Sequence, residues 1–264
     1  MKLNTDKMIV EKDGSIGWMI FNNPERRNAV SLAMREAMVT IFEAFARDDE
    51  VRVLVLRGAG DKAFVSGADI SEFKDKRGNA EAEALYAEAA DRSRRAMEAF
   101  DKPIIAMING FCVGGGLATA IACDLRIASD TSQFGIPAAK LGLGYGYANL
   151  KQLTDVVGPA SAKEILFTGR RFSAEKALRM GLVNELVSAD RLEAAVRDYA
   201  EEIAGNAPLT VKAAKATIGE VYKRESEKDL AAIEAMVKQC FDSRDYREGR
   251  EAFMEKRKPV FVGR

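Results

Sequence analysis

The hydrophobic residues of the chain fall into short strand-like runs separated by stretches with helical spacing. The runs Met8–Val10 and Ile16–Phe21 flank Asp13-Gly14, a pattern that predicts a β-hairpin. Further short runs rich in aliphatic residues predict strands at Val51–Leu56, Ala63–Val65, Ile104–Ile108, Leu125–Ala128, Gln133–Gly135 and Val183–Val187.

Helix-like patterns lie between these strands and dominate the last part of the chain. Met34, Met38 and Ile41 follow Ser31, a residue type that caps helices. This order of elements predicts an α/β fold, with residues 1–200 as its core and residues 201–264 as a helical C-terminal region. Further helices are predicted at Ala80–Phe100, Gly115–Ala122, Ser173–Met180 and, after Asn149, over most of the chain to Pro259.

The charge balance and the absence of histidine exclude several classes of function. Lys and Arg together number 40, as do Asp and Glu, so the formal net charge is zero. We therefore expect neither nucleic acid nor a membrane as a partner. Without histidine, the Ser-His-Asp and Cys-His mechanisms and histidine metal sites are impossible. Any acid–base chemistry must therefore use carboxylates, tyrosine, lysine or backbone dipoles.

The three cysteines, Cys112, Cys123 and Cys240, form no CxxC pair and are too few for an all-cysteine zinc site. We expect reduced thiols, no metal and a cytoplasmic location. The uncharged stretch 103–123 is long enough for a membrane span, but Asn109-Gly110 and three successive glycines divide it into a strand, a turn and a helix. Together with the lack of an apolar secretion signal, this predicts a soluble protein.

Two glycine-rich turns are the most informative local motifs. These motifs span residues 64–70 and 108–117, and each joins a predicted strand to the start of a predicted helix. Neither has the spacing of a nucleotide-binding loop. Helix starts expose unpaired N–H groups, and glycine lets a ligand oxygen approach them. Two such helix starts that face one pocket would form an oxyanion hole. Alternatively, the glycines only permit close packing of the helices on the sheet.

The chain resembles the crotonase (enoyl-CoA hydratase/isomerase) superfamily over nearly its whole length. The motifs that carry the resemblance occur in the family's order: Asn22-Asn23-Pro24 with Asn28-Ala29, Ser66-Gly67-Ala68-Asp69-Ile70, Lys102-Pro103 with Asn109-Gly110, Gly114-Gly115-Gly116, Cys123-Asp124, Phe134-Gly135, Thr168-Gly169, Gly181-Leu182-Val183 and Phe253-Met254-Glu255-Lys256-Arg257.

The resemblance implies a crotonase-type spiral of ββα units whose C-terminal helices pack between subunits and cover coenzyme A, in a homotrimer or a hexamer. It implies an acyl-CoA substrate, no cofactor beyond the CoA moiety, and an enolate-like intermediate held by the backbone N–H groups of Ala68 and Gly115. The residues that it implies for CoA or substrate binding are Arg26, Arg27, Ser66, Ala68, Asp69, Ile70, Gly115, Phe253 and Lys256.

The sequence departs from the family's hydratases at two positions. Those enzymes have glutamates where this chain has Ala118 and Ala138. Adding water to an enoyl thioester needs a base for the water and an acid for the α-carbon, and alanine supplies neither. A site that can hold an enolate but has no base to remove a proton favours decarboxylation of a malonyl-type thioester, because that reaction forms the enolate by losing CO2.

The loop 141–145 is similar to that of the family's methylmalonyl-CoA decarboxylase, which also has a tyrosine at the Tyr145 position but a histidine at the Ala68 position. Tyr145 is a candidate acid, because its ordinary pKa near 10 suits an acid better than a base. Alternatively, it only lines the acyl pocket. We thus expect a lyase within a family whose broad activity is enoyl-CoA hydration and isomerisation. A catalytically silent acyl-CoA-binding protein and a thioester hydrolase are the alternatives.

Overall fold

The computed structural model describes residues 1–69 and 80–264. Its ten strands within these ranges form two sheets. The first sheet has the strand order β1-β2-β3-β5-β7-β10, and the second has the order β4-β6-β8-β9. The strands are β1 (Met8–Asp13), β2 (Ile16–Phe21), β3 (Val53–Gly58), β4 (Ala63–Val65), β5 (Ile104–Ile108), β6 (Phe111–Val113), β7 (Leu125–Ser129), β8 (Gln133–Gly135), β9 (Phe172–Ser173) and β10 (Glu185–Val187).

Helices follow pairs of these strands, and three further helices end the chain. The described helices are α1 (Leu32–Arg47), α2 (Ala80–Glu98), α3 (Gly115–Ile121), α4 (Tyr147–Thr168), α5 (Ala174–Arg179), α6 (Leu192–Ala204), α7 (Pro208–Val221), α8 (Leu230–Asp242) and α9 (Arg244–Glu255). Helix α4 is kinked where Gly158 adopts a φ of 75° immediately before Pro159.

Successive ββα units are stacked on one another. Strands β3, β5 and β7 are parallel neighbours in the first sheet, while β4, β6 and β8 are parallel neighbours in the second. Each unit therefore contributes one strand to each sheet before its helix returns the chain to the next unit. This alternation makes the spiral of ββα units that the family resemblance implies, and the fold prediction is confirmed.

Several elements form for the reasons that the sequence suggests. The hairpin β1–β2 pairs Asp13 with Ile16, and Gly14 between them has a φ of 57°, which glycine adopts without strain. The Ser31 side chain accepts a hydrogen bond from the Met34 N–H at 3.3 Å and caps α1. Met34 and Met38 are buried on the face of α1 that packs into the core.

Other boundaries differ from the prediction. The run that begins at Val51 becomes a strand only at Val53, because the Val51 N–H bonds to the Asp48 carbonyl in the turn after α1. The last predicted strand is shortened to Glu185–Val187. The short strands Phe111–Val113 and Phe172–Ser173 were not expected, and the C-terminal run of helices ends at Glu255 rather than Pro259.

The C-terminal region begins after a helix that belongs to the first sheet. Val196 and Ala200 of α6 are buried against residues of that sheet, and α6 continues to Ala204, so the predicted boundary after residue 200 lies inside this helix. The outer helices expose large apolar side chains, including Phe253 and Met254, which are 83% and 81% exposed. The division at residue 200, the covering of CoA and the trimer or hexamer stay predictions.

No helix within the described ranges is long and apolar enough to cross a membrane. Cys112, Cys123 and Cys240 are free thiols, and the first two are buried. Burial raises the pKa of the Cys112 thiol well above its usual value, so this thiol stays protonated and packs as a small apolar side chain.

Candidate active site

The first glycine turn, at the end of β4, leaves one backbone N–H without a partner. The Val30 N–H donates to the Gly67 carbonyl at 2.8 Å, and the Asp69 N–H donates to the Val30 carbonyl at 3.0 Å. Ala68 lies between these two bonds in a parallel bridge to Val30. In such a bridge the central residue directs its own N–H away from the partner strand, so the Ala68 N–H points away from Val30.

The second glycine turn joins β6 to α3. Gly114 has a φ of 57°, and its N–H donates to the Gly135 carbonyl at 2.8 Å. Gly115 is the first residue of α3, where an N–H has no acceptor within the helix. An added Cβ at Gly116 would overlap the Val65 carbonyl oxygen, so a glycine is required there for α3 to lie against β4.

This close packing brings the two turns together. A Cβ built on Gly115 would lie 3.8 Å from the Ala68 nitrogen and 3.8 Å from the Gly67 Cα. Neither the Ala68 N–H nor the Gly115 N–H donates to an acceptor among the residues that the structure describes. Two unpaired donors therefore lie side by side at the start of a helix, where the helix dipole also favours negative charge. This arrangement can stabilise a single oxyanion.

A cavity of about 360 Å³ opens beside Gly115. It also contains Ala118 and Tyr145, whereas Ala138 is buried outside its lining. Burial raises the pKa of the Tyr145 phenol, so this side chain keeps its proton at neutral pH. The remaining described lining residues are Arg35, Met38, Ala87, Ala90, Asp91, Ser93, Arg94, Met97, Thr119, Ala122, Asn149 and Gln152.

Asp91 is the one carboxylate among the described residues that line this cavity. It forms ion pairs with Arg94 and with Arg95, the latter at 3.0 Å. The hydrogen bond from Arg94 is the main reason that the pKa of Asp91 lies below its usual value. A carboxylate held in this way is a weak base, since general bases work best with a pKa near the operating pH.

The candidate CoA-binding residues fall into two groups in the structure. In the first group, Arg26 forms an ion pair with the buried Asp69 at 3.1 Å, and the Ser66 hydroxyl donates to the Arg26 carbonyl at 3.2 Å. The Arg27 guanidinium lies 5.0 Å from the centroid of the Phe111 ring. These contacts place the first group around the turn at Ala68, while Ile70 lies outside the described residues.

Phe253 and Lys256 form the second group, which lies on α9 and just after it. Phe253 lines a different cavity, of about 1080 Å³, between α7, α8 and α9. Lys256 ends α9 in the left-handed conformation, with a φ of 57°. Within the described part of one chain, neither residue lines the cavity at Gly115.

Several polar residues at the cavity wall were not expected from the sequence, among them Arg35, Ser93, Asn149 and Gln152. A signal exists for Arg35: it follows the buried Met34 and precedes the buried Met38 by three positions, which places it at the border of the apolar face of α1. No group of three metal-ligating side chains occurs in the described ranges 1–69 and 80–264. The expectation of no metal and no cofactor besides CoA stays a prediction.

Comparisons with known proteins agree with the fold. A family model described as "Enoyl-CoA hydratase/isomerase" matches residues 11–264. A short-chain-enoyl-CoA hydratase of Clostridium acetobutylicum is 36% identical over 258 residues, covering 98% of this chain and 97% of that protein. A carnitinyl-CoA dehydratase of Proteus mirabilis is 36% identical over 262 residues, covering 95% and 96%.

Among solved structures, an enoyl-CoA hydratase/carnithine racemase from Magnetospirillum magneticum superimposes with a TM-score of 0.91. The two sequences are 38% identical, and the match covers 99% of this chain and 97% of the other. The family match, the relatives and the shared fold extend over nearly the whole chain. The protein therefore belongs to the enoyl-CoA hydratase/isomerase family, the crotonase superfamily of acyl-CoA enzymes.

Proposed function

We propose that the protein decarboxylates a malonyl-type acyl-CoA thioester. The observation that carries this proposal is a cavity that opens at Gly115, next to Ala68, and that has no carboxylate free to act as a base among its described lining residues. Within the described residues, the N–H groups of Gly115 and Ala68 are both free. Decarboxylation forms an enolate by breaking a carbon–carbon bond rather than by removing a proton. It therefore needs the oxyanion hole but not the base.

In the proposed reaction, the thioester carbonyl oxygen accepts hydrogen bonds from the Ala68 and Gly115 N–H groups. The bond between the α-carbon and the carboxylate breaks, its electron pair moves into the carbonyl group, and CO2 leaves. Each N–H donor that strengthens its bond as charge develops is worth about 3–4 kcal/mol. One proton then adds to the α-carbon and yields the shortened acyl-CoA.

Tyr145 is the proposed proton donor in this last step. Its hydroxyl makes no hydrogen bond within the described part of the chain, and burial keeps it neutral. Donation from the phenol to the α-carbon leaves a phenolate, which regains its proton from water. The bound CoA is proposed to contact Arg26, Arg27, Ser66, Asp69 and Ile70, with Phe253 and Lys256 contributed by a neighbouring subunit.

Hydration of an enoyl-CoA is the second candidate, because relatives such as the Clostridium acetobutylicum protein are named hydratases. This reaction would need a group other than residues 118 and 138 to activate water, since both are alanine. Asp91 would first have to give up its ion pairs with Arg94 and Arg95. The geometry thus favours decarboxylation.

The deciding experiment compares malonyl-type and enoyl thioesters on one preparation of the protein. Malonyl-CoA and methylmalonyl-CoA are assayed for CO2 and for free thiol, and crotonyl-CoA is assayed for loss of its conjugated thioester absorbance. Release of CO2 without free thiol supports the proposal. Rapid hydration of crotonyl-CoA without CO2 release contradicts it, free thiol indicates a hydrolase, and CoA binding without any turnover indicates a silent binding protein.

A further inference from the structure

Arg35 is a cation at the cavity wall whose charge is not balanced by any carboxylate of the described residues. It lies in the first turn of α1 and is half-buried. Its Nε atom is buried and has no hydrogen-bond partner within the described ranges. One Nη atom is 3.4 Å from the Ser93 hydroxyl, a long contact, and the guanidinium lies 5.2 Å from the centroid of the Tyr86 ring.

The nearby acidic groups are occupied by other cations. Asp91 is paired with Arg94 and Arg95, and Glu98 accepts hydrogen bonds from Arg94 and from Gln152. No carboxylate of the described residues forms an ion pair with Arg35. A cation without an acidic partner among the described residues can gain a charge-assisted hydrogen bond from a ligand that carries a carboxylate.

The chemistry of the guanidinium group specifies which acceptor fits. Its Nε and Nη hydrogens form a planar fork that matches the two oxygens of a carboxylate. The Nε is buried, so the prongs open to a ligand are the two Nη groups: Nη1 has only the long contact to Ser93, and Nη2 makes no hydrogen bond within the described residues. The cavity that contains Arg35 also contains Gly115, where the thioester oxygen is proposed to bind.

We propose that Arg35 binds a carboxylate on the acyl chain, so that the substrates are CoA monothioesters of dicarboxylic acids. This inference rests on the proposed function, since it assumes that the cavity at Gly115 holds the acyl group. The malonyl-type thioester is the shortest member of the class. The Ser93 hydroxyl donates its hydrogen to the Ala90 carbonyl at 2.9 Å and accepts from Arg35, so it helps to hold the guanidinium at the cavity wall.

The test is equilibrium binding of two thioesters with five-carbon acyl groups, glutaryl-CoA and pentanoyl-CoA, measured by calorimetry. Glutaryl-CoA cannot lose CO2 through the thioester enolate, because its carboxylate is not on the α-carbon. We expect the wild-type protein to bind glutaryl-CoA at least about tenfold more tightly than pentanoyl-CoA. Arg35→Met should abolish this preference and leave the affinity for pentanoyl-CoA within about threefold of wild type, which also shows that the variant is folded.

Arg95→Gln is the matched control, because it removes a positive charge from α2 at a residue that does not line the cavity. It should keep the preference for glutaryl-CoA. Equal binding of the two thioesters by the wild type, or a preference that survives in Arg35→Met, would overturn the role of Arg35. A preference that depends on Arg35 without CO2 release from malonyl-CoA would support this inference while contradicting decarboxylation. Failure of both thioesters to bind would contradict the proposed function itself, and the inference with it.

Discussion

Replacing Gly115 by proline tests the oxyanion hole directly. Proline has no N–H, so the change removes one of the two proposed donors. Gly115 is the first residue of α3, a position where helices tolerate proline well. Gly115→Ala is the matched control: it keeps the N–H, and its Cβ would have no neighbour nearer than 3.8 Å, an ordinary van der Waals distance.

The expected size of the effect follows from what a single donor contributes. Loss of one oxyanion-hole donor typically lowers kcat by about 10²–10³, or roughly 2.7–4 kcal/mol of transition-state stabilisation. The proline ring would also place a carbon where the hydrogen had been. We therefore expect Gly115→Pro to show at most about one hundredth of the kcat of Gly115→Ala.

Two measurements check this expectation. The first is CO2 release from malonyl-CoA by both variants, after circular dichroism and thermal unfolding have shown that both are folded. The second does not depend on the reaction: acetoacetyl-CoA forms an enolate with its own near-ultraviolet absorbance, and the oxyanion hole should increase its enolate fraction. A folded Gly115→Pro variant with kcat within about threefold of Gly115→Ala, and with an equal enolate fraction, would refute the oxyanion hole at Gly115.

Three further predictions concern single groups. Tyr145→Phe should lower CO2 release at least about tenfold, or 1.4 kcal/mol. Because burial raises the pKa of Tyr145, the wild-type pH–rate profile should fall only above pH 10.0, and an unchanged rate in the variant would leave Tyr145 as pocket lining. Ser31→Ala should lower the free energy of unfolding by about 0.5–2 kcal/mol in urea, since it removes the cap on the Met34 N–H, and unchanged stability would contradict this. Hydrogen bonds from Arg257 lower the pKa of Glu248 to about 2 in the folded state, from 4.5. The stabilisation by this pair should be complete above pH 4.5 and lost as the pH falls toward 2, so Glu248→Gln should change the urea midpoint less at pH 3 than at pH 7.

The sequence predicted the elements whose signal is contained in their own residues. Ile104–Ile108 is fully buried and uninterrupted, and Ala63–Val65 and Gln133–Gly135 are bounded by turn residues. Phe111–Val113 was missed because three residues carry little pattern. It is a strand because β4 and β8 flank it and pair with it on both sides. Phe172–Ser173 likewise exists only through its antiparallel pairing with β8.

The site shows the same division between local and distant information. Only the family resemblance led us to expect that Ala68 and Gly115 act together. The sequence of neither turn specifies its distance from the other. The approach of Arg35 to Ser93 depends on how α1 packs against α2, across 58 positions of sequence. Spacing within one helix could place Arg35 at the border of an apolar face, but it could not show that its Nε would lack a partner.

Gly116 connects the stability of the fold to the chemistry of the site. Its missing Cβ lets α3 lie against Val65, and this contact sets the Gly115 N–H beside the Ala68 N–H. A side chain at Gly116 would therefore disturb the packing and the donors together, whereas Gly115→Ala changes neither. The cavity has Gly115, one of the two oxyanion donors, at one point of its wall and Arg35, which has no ion-pair partner among the described residues, at another. Its one described carboxylate is bound by two arginines. Such a site favours an anionic acyl group that forms its enolate without a base, and these are the two properties of a malonyl-type thioester.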